Sequence, residues 1–215
     1  LVTFYNAFNL AWTELAARTI NENDSDVYYS KLINSLFSFC FGAIMILIAF
    51  SPILFKILID DKFSSGYSQM PILFVGVILS CLVSFYGGLY IALKKTKQVG
   101  ISSTLGAFLN AGINIALIKK IGLYAASIST VVSFFAILVY RIFEIKKSIN
   151  IKYNKVNILI GCLFLIVIIF NYYKANLILL VLNIVIAIIY NVIFNSILKL
   201  LYNKFRNIWR NKNNV

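Results

Sequence analysis

The chain has 215 residues, 61% of them apolar and 13% charged, with mean hydropathy +0.88 and a formal net charge of +13. About a quarter of the residues of a soluble globular domain are charged, so an ordinary soluble globule is excluded. The apolar runs are continuous, whereas a membrane β-barrel would show short alternating segments. The expected fold class is all-α, a polytopic transmembrane helix bundle. Histidine is absent, which removes the commonest general base and metal ligand. With no CxxC motif and no intramembrane acidic cluster, neither an enzyme nor a metal site is expected. Cys40, Cys81 and Cys162 lie singly in apolar runs and read as small buried hydrophobes.

Seven apolar segments follow one another, most of them long enough to cross a hydrocarbon core of ~30 Å. The first ends near Ile20. Leu1 already lies in its apolar run with no basic n-region, so the chain is expected to be the C-terminal part of a longer protein. The second runs from about Leu32 to Phe55. Pro52 is expected to kink or end it, with Ser51 taking up a freed backbone group. The third spans Pro71 to Leu93, with Pro71 suited to a first helical turn and Ser68 as its candidate cap. Val99 to Ile118, Gly122 to Phe143, Val156 to Tyr172 and Leu177 to Leu198 complete the set. The sixth is almost wholly Ile, Leu, Val and Phe and is expected to face lipid all round. Three parts are expected: helices over 1–143, a peripheral pair over 156–198, and a basic tail over 199–215 in which Trp209 could anchor at the interface.

Lysine and arginine accumulate on the cytoplasmic side of inserted helices. Fifteen of the 20 basic residues, Lys94, Lys95, Lys97 and Arg141 among them, fall in one alternating set of loops, and five in the other. This predicts a cytoplasmic C-terminus and places the turn at Lys94–Lys97 inside and the turn at Lys119–Lys120 outside. The positive charge is then topology and lipid-headgroup contact, and no nucleic-acid partner is implied.

The polar residues within the spans are ordered. Asn34, Ser38 and Gly42 fall four apart, as do Gly76, Ser80, Ser84 and Gly88. The same spacing holds for Ser102, Gly106, Asn110 and Asn114, for Ala125, Ser129 and Ser133, and for Asn183, Ala187, Asn191 and Asn195. Residues at that spacing share one helix face. Small residues let helices approach closely in lipid, where no hydrophobic effect drives them together. The stripes therefore read first as packing seams. Asn110 and Asn114 are equally open to an interhelical hydrogen bond or a solute, because a bare amide in lipid is costly.

Other candidates for solute contact are few. Glu14 and Arg18 stand at i, i+4, the order favourable for an ion pair, and Asn6, Asn9 and Thr13 lie along the same helix. This segment could line a lumen, with Arg18 meeting an anionic headgroup. Lys94, Lys95 and Lys97 are either topological charges or a phosphate-recruiting patch. Tyr86 could stack on a sugar ring, and Tyr90 fits an interfacial aromatic belt.

The runs "NLAWTELAARTI", "YYSKLINSLFSF", "FSPILFKIL" and "GLYIALKKTKQVGISSTLGAFLNAGINIALIKKIGLYAASISTVVSF" occur in the order seen in a known family. From about Asn9 to Arg141 the chain resembles bacterial polysaccharide-export proteins, the O-antigen and capsule lipid-linked oligosaccharide flippases of the MATE-like (MOP) superfamily. The last two segments match only as apolar runs, and Glu14 stands where members often carry proline. The resemblance implies two six-helix lobes around a cavity, with this chain holding most of the C-terminal lobe. It implies alternating access, a bacterial cytoplasmic-membrane location and an undecaprenyl-pyrophosphate-linked oligosaccharide substrate. A proton or sodium gradient could drive the cycle, and polysaccharide polymerase machinery is a possible partner. A cation-coupled MATE drug exporter and a non-transporting scaffold of an envelope-assembly complex are the alternatives. The first would want intramembrane acids, of which Glu14 is the nearest example.

Overall fold

The computed structural model describes residues 12–20, 24–58, 66–174 and 176–195. It is all-α, with no strand among the described residues. Helix α1 covers 12–19, followed by α2 (Ser25–Leu58), α3 (Met70–Ala92), α4 (Thr96–Ile121), α5 (Tyr124–Ile145), α6 (Lys155–Tyr173) and α7 (Leu177–Phe194). Helices α2 to α7 are each long and apolar enough to cross a membrane. The protein is a multi-pass membrane helix bundle. Asn6, Asn9, Trp209 and the tail lie outside the described residues.

Local chemistry sets the helix ends. Pro71 occupies the first turn of α3, where a missing N–H costs nothing. The cap position belongs to Gln69 rather than Ser68, and the Gln69 side chain instead accepts a 2.6 Å hydrogen bond from Ser127 Oγ. Pro52 does not end α2, which continues to Leu58. Proline removes the donor that would serve the Ile48 carbonyl one turn back, and Ser51 Oγ donates to that carbonyl at 2.8 Å. The α3–α4 turn is a Schellman closure, with Lys94 N–H on Ile91 O and Lys95 N–H on Tyr90 O. It puts Lys94 at φ 59°, a left-handed conformation usually given to glycine. The α4–α5 turn is built differently: Gly122 has φ 57° and ψ −131°, a conformation that glycine adopts without strain, and its N–H donates to Ile118 O.

The chain forms two compact units, Leu1–Ser30 with Gln69–Lys152, and Lys31–Ser68 with Tyr153–Val215. Most of α2 is thus grouped with α6 and α7, a division different from the expected parts over 1–143 and 156–198. In the second unit the polar stripes meet one another. Asn34 Oδ1 accepts from Asn154 N–H at 2.8 Å, and Ser38 Oγ from Asn157 Nδ2 at 2.5 Å. Asn191 Nδ2 donates to Gly42 O at 3.1 Å, and Asn171 Nδ2 to Asn183 Oδ1 at 3.0 Å. A Cβ at Gly42 would overlap Asn191 Oδ1, so only glycine admits this contact. Helix α6 does not face lipid all round: Gly161, Ile168, Asn171 and Tyr172 are buried while Leu159, Leu163 and Ile166 are exposed. Gly161 sits so near the Phe41 ring that a Cβ would lie 2.7 Å from it.

In the first unit α3, α4 and α5 pack together, and α1 docks on α3 through Trp12. The indole stacks on Phe85 with centroids 4.1 Å apart and donates Nε1–H to Phe85 O at 3.0 Å. Gly88 makes the room, since a Cβ there would lie 2.7 Å from Trp12 Nε1. Tyr29 closes the other side, edge-on to Trp12 and donating to Ala16 O at 3.0 Å.

Candidate functional site: a cavity among three helices with a buried arginine

Helices α3, α4 and α5 line a cavity of about 610 Å³ that is open on one side. Helix α3 supplies Val83, Ser84, Gly87 and Gly88, and α4 supplies Val99, Ser103, Gly106, Ala107, Asn110 and Ala111. Helix α5 supplies Ser133, Phe134, Ile137 and Arg141. The glycine, alanine and serine positions among them leave the space. The seam beside it closes on Gly106, where a Cβ would overlap Ile137 Cδ1. Gly76 performs the same service between α3 and α5, with Thr130 Cγ2 only 3.3 Å from its would-be Cβ. The spacing-of-four stripes on α3, α4 and α5 pack as seams, and Ser84, Gly88, Gly106, Asn110 and Ser133 of the same stripes line the cavity.

Arg141 is the group that changes the chemistry of this wall. Its place near the end of an apolar run groups it, by sequence, with the loop charges that set orientation. It lies within α5 and is 2% exposed. Its Nε donates to Ser102 Oγ at 3.0 Å and its Nη1 to Val83 O at 2.5 Å. Its Nη2 donates to Ser103 Oγ at 3.0 Å and to Val99 O at 3.4 Å. Gly87 leaves the space for this approach, since a Cβ there would stand 3.0 Å from Nη1. Omitting Arg141 leaves the loop count at fourteen against five, so the predicted orientation is unaffected.

Helix rise gives the depth. At ~1.5 Å per residue, the Arg141 backbone lies ~6 Å from the end of α5, while Val83 lies ~14 Å from the end of α3. The side chain therefore points back along α5, the direction helical side chains lean. That is away from the basic end of the helices, the reverse of a snorkelling arginine. Intramembrane ionisable groups are rare because they are costly, and they mark solute pathways. The planar guanidinium fork matches a phosphate or carboxylate. Among the described lining residues Arg141 is the only charged side chain, so the cavity favours an anion.

No family model, curated protein or solved structure matches the chain. The arrangement of its own side chains therefore carries the functional reading.

The residues singled out from sequence divide into groups. Asn110 lines the cavity and its Nδ2 reaches Thr130 Oγ1 at 3.4 Å, so it is both a seam contact and part of the wall. Asn114 lies further along α4, outside the lining, with Oδ1 enclosed and without a hydrogen-bond partner among the described residues. Thr13 is half-buried against α3, its Oγ1 3.1 Å from the would-be Cβ of Gly88. Glu14 and Arg18 pair at 2.6 Å, but their side chains are 66% and 75% exposed. Tyr86 is fully buried edge-on to Phe85 and does not line the cavity. Tyr90 is not in an interfacial belt; it is 1% exposed and donates to Arg141 O at 3.0 Å. Lys94 and Lys95 stand on the α3–α4 turn and Lys97 in the first turn of α4, all outside the cavity. The signal for Arg141 was present in the sequence: Ala125, Ser129, Ser133, Ile137 and Arg141 fall four apart on one face of α5.

Proposed function

We propose that the protein takes part in moving an anionic, lipid-linked oligosaccharide across the bacterial cytoplasmic membrane by alternating access, with the basic loops and the C-terminus cytoplasmic. The substrate class is an undecaprenyl-pyrophosphate-linked repeat unit destined for O-antigen, capsule or exopolysaccharide. The observation that carries this reading is the cavity among α3, α4 and α5 with Arg141 in its wall. A pyrophosphate and a glycan cannot cross hydrocarbon unaided, because each buried charge or orphaned hydroxyl is penalised there. A guanidinium and serine and asparagine side chains at the right depth lower that barrier while the lipid tail stays in the bilayer. The Val83 and Val99 carbonyls and the Ser102 and Ser103 hydroxyls are neutral acceptors, so these four bonds aim the guanidinium without cancelling its charge. The resemblance of residues 9–141 to the flippases points the same way. Among the described residues the cavity wall carries an arginine and no carboxylate, which favours an anionic solute over the cations of a drug exporter.

Deletion of the full-length protein tests the reading. The expected result is accumulation of lipid-linked repeat units on the cytoplasmic leaflet, with loss of surface polymer and unchanged drug sensitivity. Normal surface polymer in a clean deletion overturns it.

A further inference from the structure

On the opposite side of the α4–α5 seam from the cavity lies a second, smaller depression of about 170 Å³. Leu105, Leu109, Ala136, Ile137 and Tyr140 form its walls, and Gly106 and Ser102 its floor. Leu105, Leu109 and Tyr140 are 59%, 38% and 38% exposed, so the groove opens at the surface of the bundle. By helix rise it begins ~8 Å below the end of α5 and extends ~20 Å below the start of α4. That is the depth of acyl chains beneath a headgroup layer.

The end of the bundle above this groove is basic. Lys94 and Lys95 come from the α3–α4 turn, Lys97 from the first turn of α4, and Lys146 and Lys147 from the end of α5. The two turns are tied together, since Lys95 Nζ donates to Ser148 Oγ at 2.6 Å. Of these charges, Lys147 pairs with Glu144 at 2.6 Å, which holds its ammonium above the usual lysine range. Lys146 lies over the Phe143 ring at 5.6 Å. Lys97 stands one turn before Ile101, and Phe143 one turn before Lys147, so exposed apolar side chains on both helices lead up to lysines.

We propose that this surface seats one anionic phospholipid, its phosphodiester on the lysines of the two tied turns and an acyl chain in the α4–α5 groove. A diacyl phosphate matches both halves of the site: charge complementarity selects an anionic headgroup, and an apolar groove at acyl depth selects a chain. The site is separate from the cavity, and it does not depend on what the cavity transports.

The test uses purified full-length protein in a neutral detergent, titrated with dioctanoyl phosphatidylglycerol, dioctanoyl phosphatidylcholine or inorganic phosphate and read by native mass spectrometry. Saturable phosphatidylglycerol binding, at least tenfold tighter than phosphatidylcholine and absent for phosphate, is expected. Each lysine near an anionic headgroup contributes roughly fivefold, so Lys95→Gln with Lys97→Gln weakens binding roughly 25-fold. Ala136→Leu, which fills the groove without touching the lysines, is expected to weaken phosphatidylglycerol at least fivefold. Melting temperature in detergent distinguishes loss of the site from loss of the fold, and Ala136→Val replaces the leucine if that variant unfolds. Equal binding of the two lipids, phosphate binding as tight as the lipid, or indifference to both sets of variants overturns the proposal.

Discussion

Replacing Arg141 by methionine separates a side chain kept for stability from one kept for function. The change deletes hydrogen bonds to Val83 O, Val99 O, Ser102 Oγ and Ser103 Oγ. Side-chain hydrogen bonds between membrane helices average ~0.6 kcal/mol, so the four together contribute ~2 kcal/mol. The acceptors are not stranded by the change. Ser102 Oγ still donates to Val99 O at 3.1 Å, and both carbonyls lie within helices. Against this stands the cost of an arginine inside a span, about 2.5–3.5 kcal/mol on insertion scales. The two terms nearly cancel, so Arg141→Met is expected to shift unfolding in detergent by less than about 1.5 kcal/mol, in either direction. Export in complemented deletion cells is expected to fall to background, because the anion loses the cationic contact that Arg141 supplies in the cavity wall. Arg141→Lys keeps the charge, but a single ammonium cannot span acceptors on α3 and α4 at once. It should be the less stable of the two variants while retaining part of the export. A loss of about 3 kcal/mol or more for Arg141→Met would make the residue a structural staple. Wild-type export by a folded Arg141→Met protein would refute the role of the charge.

Two further outcomes test the packing. At Gly106 an added Cβ meets Ile137, its Cγ1 at 2.5 Å. Gly106→Ala is therefore expected to destabilise by about 1–2 kcal/mol, overpacking set against the better helix propensity of alanine. Adding Ile137→Ala should recover at least about 1 kcal/mol relative to the sum of the single changes in a double-mutant cycle, and strict additivity would show that the seam is not where the clash lies. At Lys94, φ is 59° and the turn already has Schellman hydrogen bonds. Lys94→Gly is expected to stabilise by about 1 kcal/mol by relieving the left-handed strain, and a lowered melting temperature would contradict that conformation.

Much of the fold was legible in the sequence because lipid imposes strict rules on a chain. Every backbone group must be satisfied within a helix, so apolar length alone located α2 to α7 to within a few residues, apart from the start of α2. The Pro52–Ser51 pairing was legible for the same reason: a freed carbonyl in lipid needs a donor within reach. The spacing of four also showed which face of α4 and α5 would be a seam, since periodicity is a property of one helix by itself. Which stripe meets which is a property of two helices, and no spacing encodes it. Only the tertiary structure brought Asn34, Ser38 and Gly42 of α2 to Asn154, Asn157 and Asn191, and so grouped α2 with α6 and α7. The same holds for Arg141. Its place in the stripe of α5 was written in the sequence, but an arginine four residues from a helix end ordinarily snorkels to the headgroups. Here Gly87 opens α3 and Ser102 and Ser103 present hydroxyls from α4, and those neighbours turn the guanidinium inward. The sequence by itself determined that this is a polytopic helical membrane protein with small, polar seams. The packing of three helices decided that one of its charges faces a cavity instead of the water.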